Sequence, residues 1–193
     1  MPNLMQPYEI IATPFEVYVT TGTDSFPLVT ATPTGGWTKL GVNGVDNQKE
    51  GGVTVQHNQT FLTVRTEGHT GPVKVSRLTE DHIVSLTLYD LTQNVYKFAM
   101  NSDVPTAQGS TGYDIGMSRG VDVRELKVLV RGVSPLAVSK NAQYEIPRCY
   151  QSGQSSVQLT KTAPAGLTLE FTALDDLSSL TTGQRFGKLV IAT

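Results

Sequence analysis

Charge is what this sequence has least of. Only 17% of its 193 residues are Asp, Glu, Lys or Arg, and the formal net charge is -2. A protein that grips nucleic acid or an anionic membrane needs clustered Lys and Arg, so the composition argues against both roles. A single cysteine, Cys149, excludes an internal disulfide and fits a reducing compartment or stabilisation by other means. No run approaches the roughly 18 apolar residues of a membrane span, so no membrane insertion is expected. The opening "MPNLMQPYEIIATPF" lacks a basic region followed by an apolar one and does not read as a signal peptide. The sequon at Asn58 is then read as chance. There is no G-x-S-x-G, no P-loop and no H-E-x-x-H. No catalytic residue, cofactor or metal ligand is assigned, and no enzyme is expected.

What is present is β-branched and alternating. Thr and Val favour strands. "FEVYVT" (15–20), "WTKLG", "VTVQHNQTFLTVRTEG" as two segments, one with Val53 and Val55 on one face and one with Leu62 and Val64 on another, "PVKVSRL", and "HIVSLTLYD" with Val84, Leu86 and Leu88 aligned all follow a period of two. "VDVRELKVLVRG", a short "SVQLTKT", "AGLTLEFTALDD" and the closing "GKLVIAT" continue it. "QYEIPRCY" reads as an edge strand or a bulge because of Pro147. One helix interrupts the strands, at about 91–100. Asp90 and Gln93 have the form of a capping box, and Leu91, Val95, Phe98 and Ala99 make one apolar stripe. A helix this short is marginal alone and must pack on the preceding sheet. Residues 1–14, with Pro2, Pro7 and Pro14, read as an extended arm, and 15–193 as a single domain. The polar stretch Val42 to Gly52 is the expected protruding hairpin loop. The sum is nine to eleven strands, one helix and two or three long loops: a mainly β chain, a sandwich or barrel with a flanking helix.

The candidate chemistry is thin. His57, His69 and His82 are scattered, with no partner at metal-ligand spacing. His69 lies in the turn "EGHTGP". Cys149, beside Arg148, reads as a buried structural thiol rather than an activated one. The pairs Glu80–Asp81 and Asp175–Asp176 read as loop carboxylates, since neighbours on a strand face opposite ways. "GVNGVDNQKEGG" has no following helix to hold a phosphate. Trp37 reads as a core anchor, with a sugar-stacking platform as the sharper alternative.

The order of segments carries more. An arm, "PFEVYV", a Gly/Pro loop, "GWTKLG", a polar loop and strands leading into "VSLTLYDLTQNVYKFAM" resemble the major tail proteins, or tail tube proteins, of long-tailed bacteriophages. There a W-x-x-L-G is followed by strands and a strand–D-L-T–helix unit. The resemblance covers most of the chain and is clearest from Phe15 to Met100; the remainder matches only in β character. It implies hexameric rings stacked into a tube, with strands of neighbouring subunits joined around a bore through which DNA passes without specific binding. The partners implied are copies of the chain, other tail proteins and a tape measure protein. The location implied is the virion tail, assembled in the bacterial cytoplasm. The expected contacts between subunits and rings are Tyr8 and Ile10 in the arm and Val42, Asn43, Val45, Asp46, Lys49 and Glu50 in the loop. Thr54, Gln56, Thr168, Glu170 and Thr172 are the expected bore-facing residues. Few cations would keep such a conduit from holding its cargo. Another tail component (sheath, terminator or baseplate hub) and a β-sandwich module binding a carbohydrate or a partner stay open as alternatives.

Overall fold

The computed structural model describes residues 12–41, 48–89, 91–102, 106–108, 110–118, 120–134, 140–157, 165–179 and 181–192. Among them run ten strands and one α-helix: β1 (Ala12–Thr20), β2 (Thr38–Leu40), β3 (Gln48–Val64), β4 (Lys74–Leu88), α1 (Gln93–Ala99), β5 (Thr106–Gln108), β6 (Gly112–Asp114), β7 (Leu126–Val133), β8 (Asn141–Gln151), β9 (Leu167–Ala173) and β10 (Lys188–Ile191). Eight strands form one antiparallel sheet in the order β2-β1-β7-β8-β9-β4-β3, with β10 added against β8. β5 and β6 make a separate small hairpin inside the long segment after the helix.

The alternation decides which face is inside. Leu40, Val17 and Val130 are in register across β2, β1 and β7. Leu86 and Leu169 are likewise in register across β4 and β9. These residues are buried in one cluster with Phe171, Leu88, Val128 and Cys149. The stripe on α1 closes that cluster: Val95, Phe98 and Ala99 are buried, and Leu91 packs against them. α1 begins later than the capping box implies. Its N-cap is Thr92, whose side chain makes no capping bond; Asp90 lies outside the described residues. Its end is a Schellman motif. Asn101 takes a left-handed φ of 51°, Asn101 N donates to Phe98 O (3.2 Å) and Ser102 N to Lys97 O (2.9 Å).

Pro147 falls in a bulge, not on an edge. β8 is central, and its register against β7 shifts between Leu126–Cys149 and Val128–Ile146. β10 pairs β8 only up to Glu145, and β9 pairs it only from Cys149. The proline that cannot donate to a ladder therefore sits where one neighbour leaves and the next arrives.

The outer face of β1, β7 and β8 is covered by the chain itself. Arg131 and Gln143 are buried there, joined by bonds from Arg131 Nε (3.1 Å) and Nη2 (2.6 Å) to Gln143 Oε1. They hold the segment before β2 by its carbonyls: Arg131 Nη1 donates to Ala31 O (2.7 Å) and Gln143 Nε2 to Pro27 O (2.9 Å). Trp37 belongs to this cover rather than to the core. It is half-buried, tilted against Phe26 with ring centres 5.3 Å apart, and its Nε1 donates to Ser25 O (3.2 Å). The Glu80–Asp81 pair also departs from expectation, since it lies within β4 and not in a loop.

Residues 12–14, expected in the arm, are the first residues of β1, with Ala12 opposite Val133. Residues 48–52, expected in a protruding loop, are strand, with Gln48 opposite Leu88. The rest of both stretches, 1–11 and 42–47, lies outside the described residues.

Candidate assembly surface

β3 has 17 residues and β4 has 15. At about 3.3 Å per residue, a strand of that length spans roughly 55 Å, longer than a domain of this size can enclose. The two form a ribbon with two halves. At its root, Val53 and Val55 face Leu86 and Val84 over the core. Toward its tip, Phe61 pairs with Arg77, Leu62 with Ser76, Thr63 with Val75 and Val64 with Lys74. A register shift between Thr60 and Phe61 opens a bulge beside Leu78. The 65–72 turn closes the ribbon, with Val73 N donating to Val64 O (2.8 Å) and His69 N to Thr66 O (3.1 Å).

The tip carries bare apolar side chains, interleaved with Thr63, Lys74, Ser76 and Arg77. Phe61 is 52% exposed, Leu62 51%, Val75 55% and Leu78 62%. The register puts Phe61 and Val75 on one face and Leu62 and Val64 on the other. Among the described residues, neither face has cover. Sequence reading put the protrusion at 42–52 and missed this one, because it took β3 and β4 as four short segments. The available signal was their contiguity: neither 53–66 nor 73–88 contains a Gly or Pro to break it, and one polar turn joins them.

The expected bore-facing residues do come together. Thr54, Ser85 and Glu170 lie in one row across β3, β4 and β9, and Gln56, Ile83 and Thr172 in the next. Thr87 and Thr168 are opposite each other, their hydroxyls 3.0 Å apart. Ser152 Oγ bonds the Thr172 hydroxyl at 2.7 Å. This outer patch carries one carboxylate, Glu170, and no Lys or Arg among those eight paired positions. The expected contact residues fare differently. Tyr8, Ile10, Val42, Asn43, Val45 and Asp46 lie outside the described residues, and Lys49 and Glu50 are placed only as backbone on β3.

Between root and tip sits a polar cluster. The register sets His57 opposite His82, their rings stacked at 4.2 Å with planes 9° apart. Glu80, two residues before His82 on the same face, has Oε1 2.9 Å from His57 Nε2 and 3.8 Å from His82 Nε2. Arg77 bonds the other oxygen of Glu80, and the Gln59 amide meets His57 Nδ1 at 3.1 Å. Burial would raise the Glu80 carboxyl, but hydrogen bonds from Arg77 and His57 outweigh it and hold the group below its usual range. Burial, then the neighbouring His57, hold His82 below the ordinary imidazole value. The absence of a partner at metal-ligand spacing held only along the chain; pairing across the ribbon overturns it in space. Cys149 is as expected: buried, its thiol donating to Leu126 O (3.3 Å), and pushed up by burial.

No protein-family model matches this chain, and no curated protein matches its sequence. A solved structure does. The chain is similar to one in the "anti-feeding prophage (AFP) baseplate, 6-fold symmetrised", with a TM-score of 0.52 and 9% identity, over 94% of this chain and 95% of that one. At that identity the likeness is one of fold, and it extends through both halves of the chain. Among the described residues, no helix is long and apolar enough to cross a membrane.

Proposed function

We propose that this chain is a structural subunit of a phage-type tail, one that closes into a six-membered ring and stacks as a tail tube around a DNA-conducting bore. The observation that carries this reading is the ribbon tip, which exposes apolar side chains on both faces that no described residue covers. An isolated two-stranded ribbon is marginal in water, and contiguous exposed apolar surface marks an interaction site. A second copy supplies what the tip lacks. β3 points the same way: among the described residues it pairs only with β4, so its other edge is open for a neighbour's strand. The outer patch of Thr54, Gln56, Thr168, Glu170 and Thr172 suits a bore wall, being wettable and without a cation to hold phosphate. The baseplate neighbour supports a tail-type assembly and a six-fold ring. It also favours a second reading, a ring within a baseplate rather than the repeating tube. The location in either case is a virion or virion-like tail, put together in the bacterial cytoplasm beside other tail proteins.

The test is assembly of the purified full chain, followed by light scattering and negative-stain microscopy as concentration rises. Rings or tubes are expected from the native sequence, and monomers with an unchanged circular dichroism spectrum from a Phe61→Asp, Val75→Asp double variant. Long tubes favour the tube, and single rings favour the baseplate reading. A native protein that stays monomeric at high concentration overturns both.

A further inference from the structure

We propose that His57, Glu80 and His82 form a binding site for a late first-row divalent cation of the zinc class, clamping the ribbon where it leaves the core. The donor set is two imidazole nitrogens and one carboxylate oxygen, the set that such cations prefer over magnesium or calcium. Ligands about 2.0–2.1 Å from a tetrahedral ion lie roughly 3.3 Å from one another. Glu80 Oε1 stands 2.9 and 3.8 Å from the two Nε2 atoms, on either side of that value, and all three donor atoms lie within 4.8 Å of one another. The stacked rings converge on an ion by tilting about χ2, a broad and soft torsion.

The surroundings supply the rest of a site. Arg77 takes the second oxygen of Glu80 and leaves Oε1 facing the rings. That cation also opposes the ion, so the affinity stays below that of a buried structural zinc site. Gln59 is placed to hold His57 Nδ1; with its amide turned to accept, it fixes the tautomer that frees Nε2 for the ion. Beyond the rings opens a cleft of about 360 Å³ walled in part by Phe186, whose ring lies 5.8 Å from that of His82. A water or another ligand reaches the fourth position from there. The ligands come from two adjacent strands, so an ion would lock their register next to the bulge at Thr60, where the ladder shifts. The site belongs to the single chain and stands whether or not the tail reading does.

The experiment uses the full chain without a histidine tag. Cobalt(II) is titrated in and read by visible absorption, then displaced by zinc, with binding of each metal measured by calorimetry. One equivalent is expected, with a tetrahedral cobalt spectrum and no response to magnesium. His57→Gln and His82→Gln keep the side-chain size and a polar tip, so the fold is expected to persist by circular dichroism. Each is expected to weaken binding at least about 100-fold, beyond the 10–100-fold cost of removing a supporting group. His69→Gln, in the turn, leaves binding unchanged. A native chain without stoichiometric binding overturns the site. So does binding that survives both His57→Gln and His82→Gln, or that is lost with His69→Gln. If a variant unfolds, the nitrogen-15 resonances of His57 and His82 in the native chain decide: both Nε2 signals shift on adding zinc, and unmoved signals overturn the proposal.

Discussion

Val53, Val55, Val84 and Leu86 at the root of the β3–β4 ribbon and Phe61, Leu62, Val64 and Val75 toward its tip come from the same two strands with similar alternation. The first group is packed into the hydrophobic core, and the second stands in solvent. Between them the core-facing row turns polar, through His57 and Gln59. Period two therefore specifies a strand with an apolar face, but not what meets that face. At the root the cover is intramolecular, so the apolar residues stabilise the fold. At the tip none of the described residues covers them, so on the proposed reading their burial stabilises an assembly rather than the monomer.

The sharpest way to break this comparison is to truncate one leucine in each half. Leu86 is 3% exposed, in register with Val53 and Leu169. Leu86→Ala loses buried methyl groups and leaves a cavity, an expected cost of about 2–5 kcal/mol in the monomer. In a domain of this size each kcal/mol lowers Tm by about 2–4 °C. Thermal melting at a dilution that keeps the chain monomeric measures it. A loss below about 1 kcal/mol would mean that the root is not a packed core.

Leu62→Ala is the matching change at the tip, and the expected effect on monomer stability is smaller, within about 0.5 kcal/mol. Its consequence belongs to assembly: the concentration at which rings or tubes form should rise, read by light scattering against the native chain. A Leu62→Ala chain that melts early and assembles normally would reverse the roles assigned to the halves.

What could be read from residues alone follows the same division. The strands were legible, as was the stripe of Val95, Phe98 and Ala99, because period two and period 3.6 are local properties. The five residues expected to face a bore fell on one patch because they were chosen by alternation, and alternation survives folding. Three things were not legible. Residues 48–52 are rich in polar and turn-forming types, yet pairing of Gln48 with Leu88 holds the start of that stretch in β3. His57 and His82 are 25 positions apart, and only the register of the ribbon makes them neighbours. Arg131 and Gln143 are polar residues that nothing in the sequence singles out, while the carbonyls of residues 27 to 31 bury them. Each of these depends on which distant segment arrives, and that information is not local.

The smallest effect concerns the face that the chain closes by itself. Tyr18 lies on β1 beside Arg131 and is buried, with its hydroxyl donating to Glu16 Oε2 at 2.9 Å. Burial, then that hydrogen bond, then the charge of Glu16, push its phenol up to about 12 from an ordinary 10.0. The folded chain therefore keeps a proton that the unfolded chain releases. The resulting stability is fully present below about pH 10 and is lost as pH rises toward about 12. Because this face needs no second copy, the late titration should appear in the dilute monomer. A phenolate absorbance step is expected near pH 12, and Tyr18→Phe should remove it and flatten that part of the stability curve. A step that is late only in assembled protein would show that this face is closed by a neighbour.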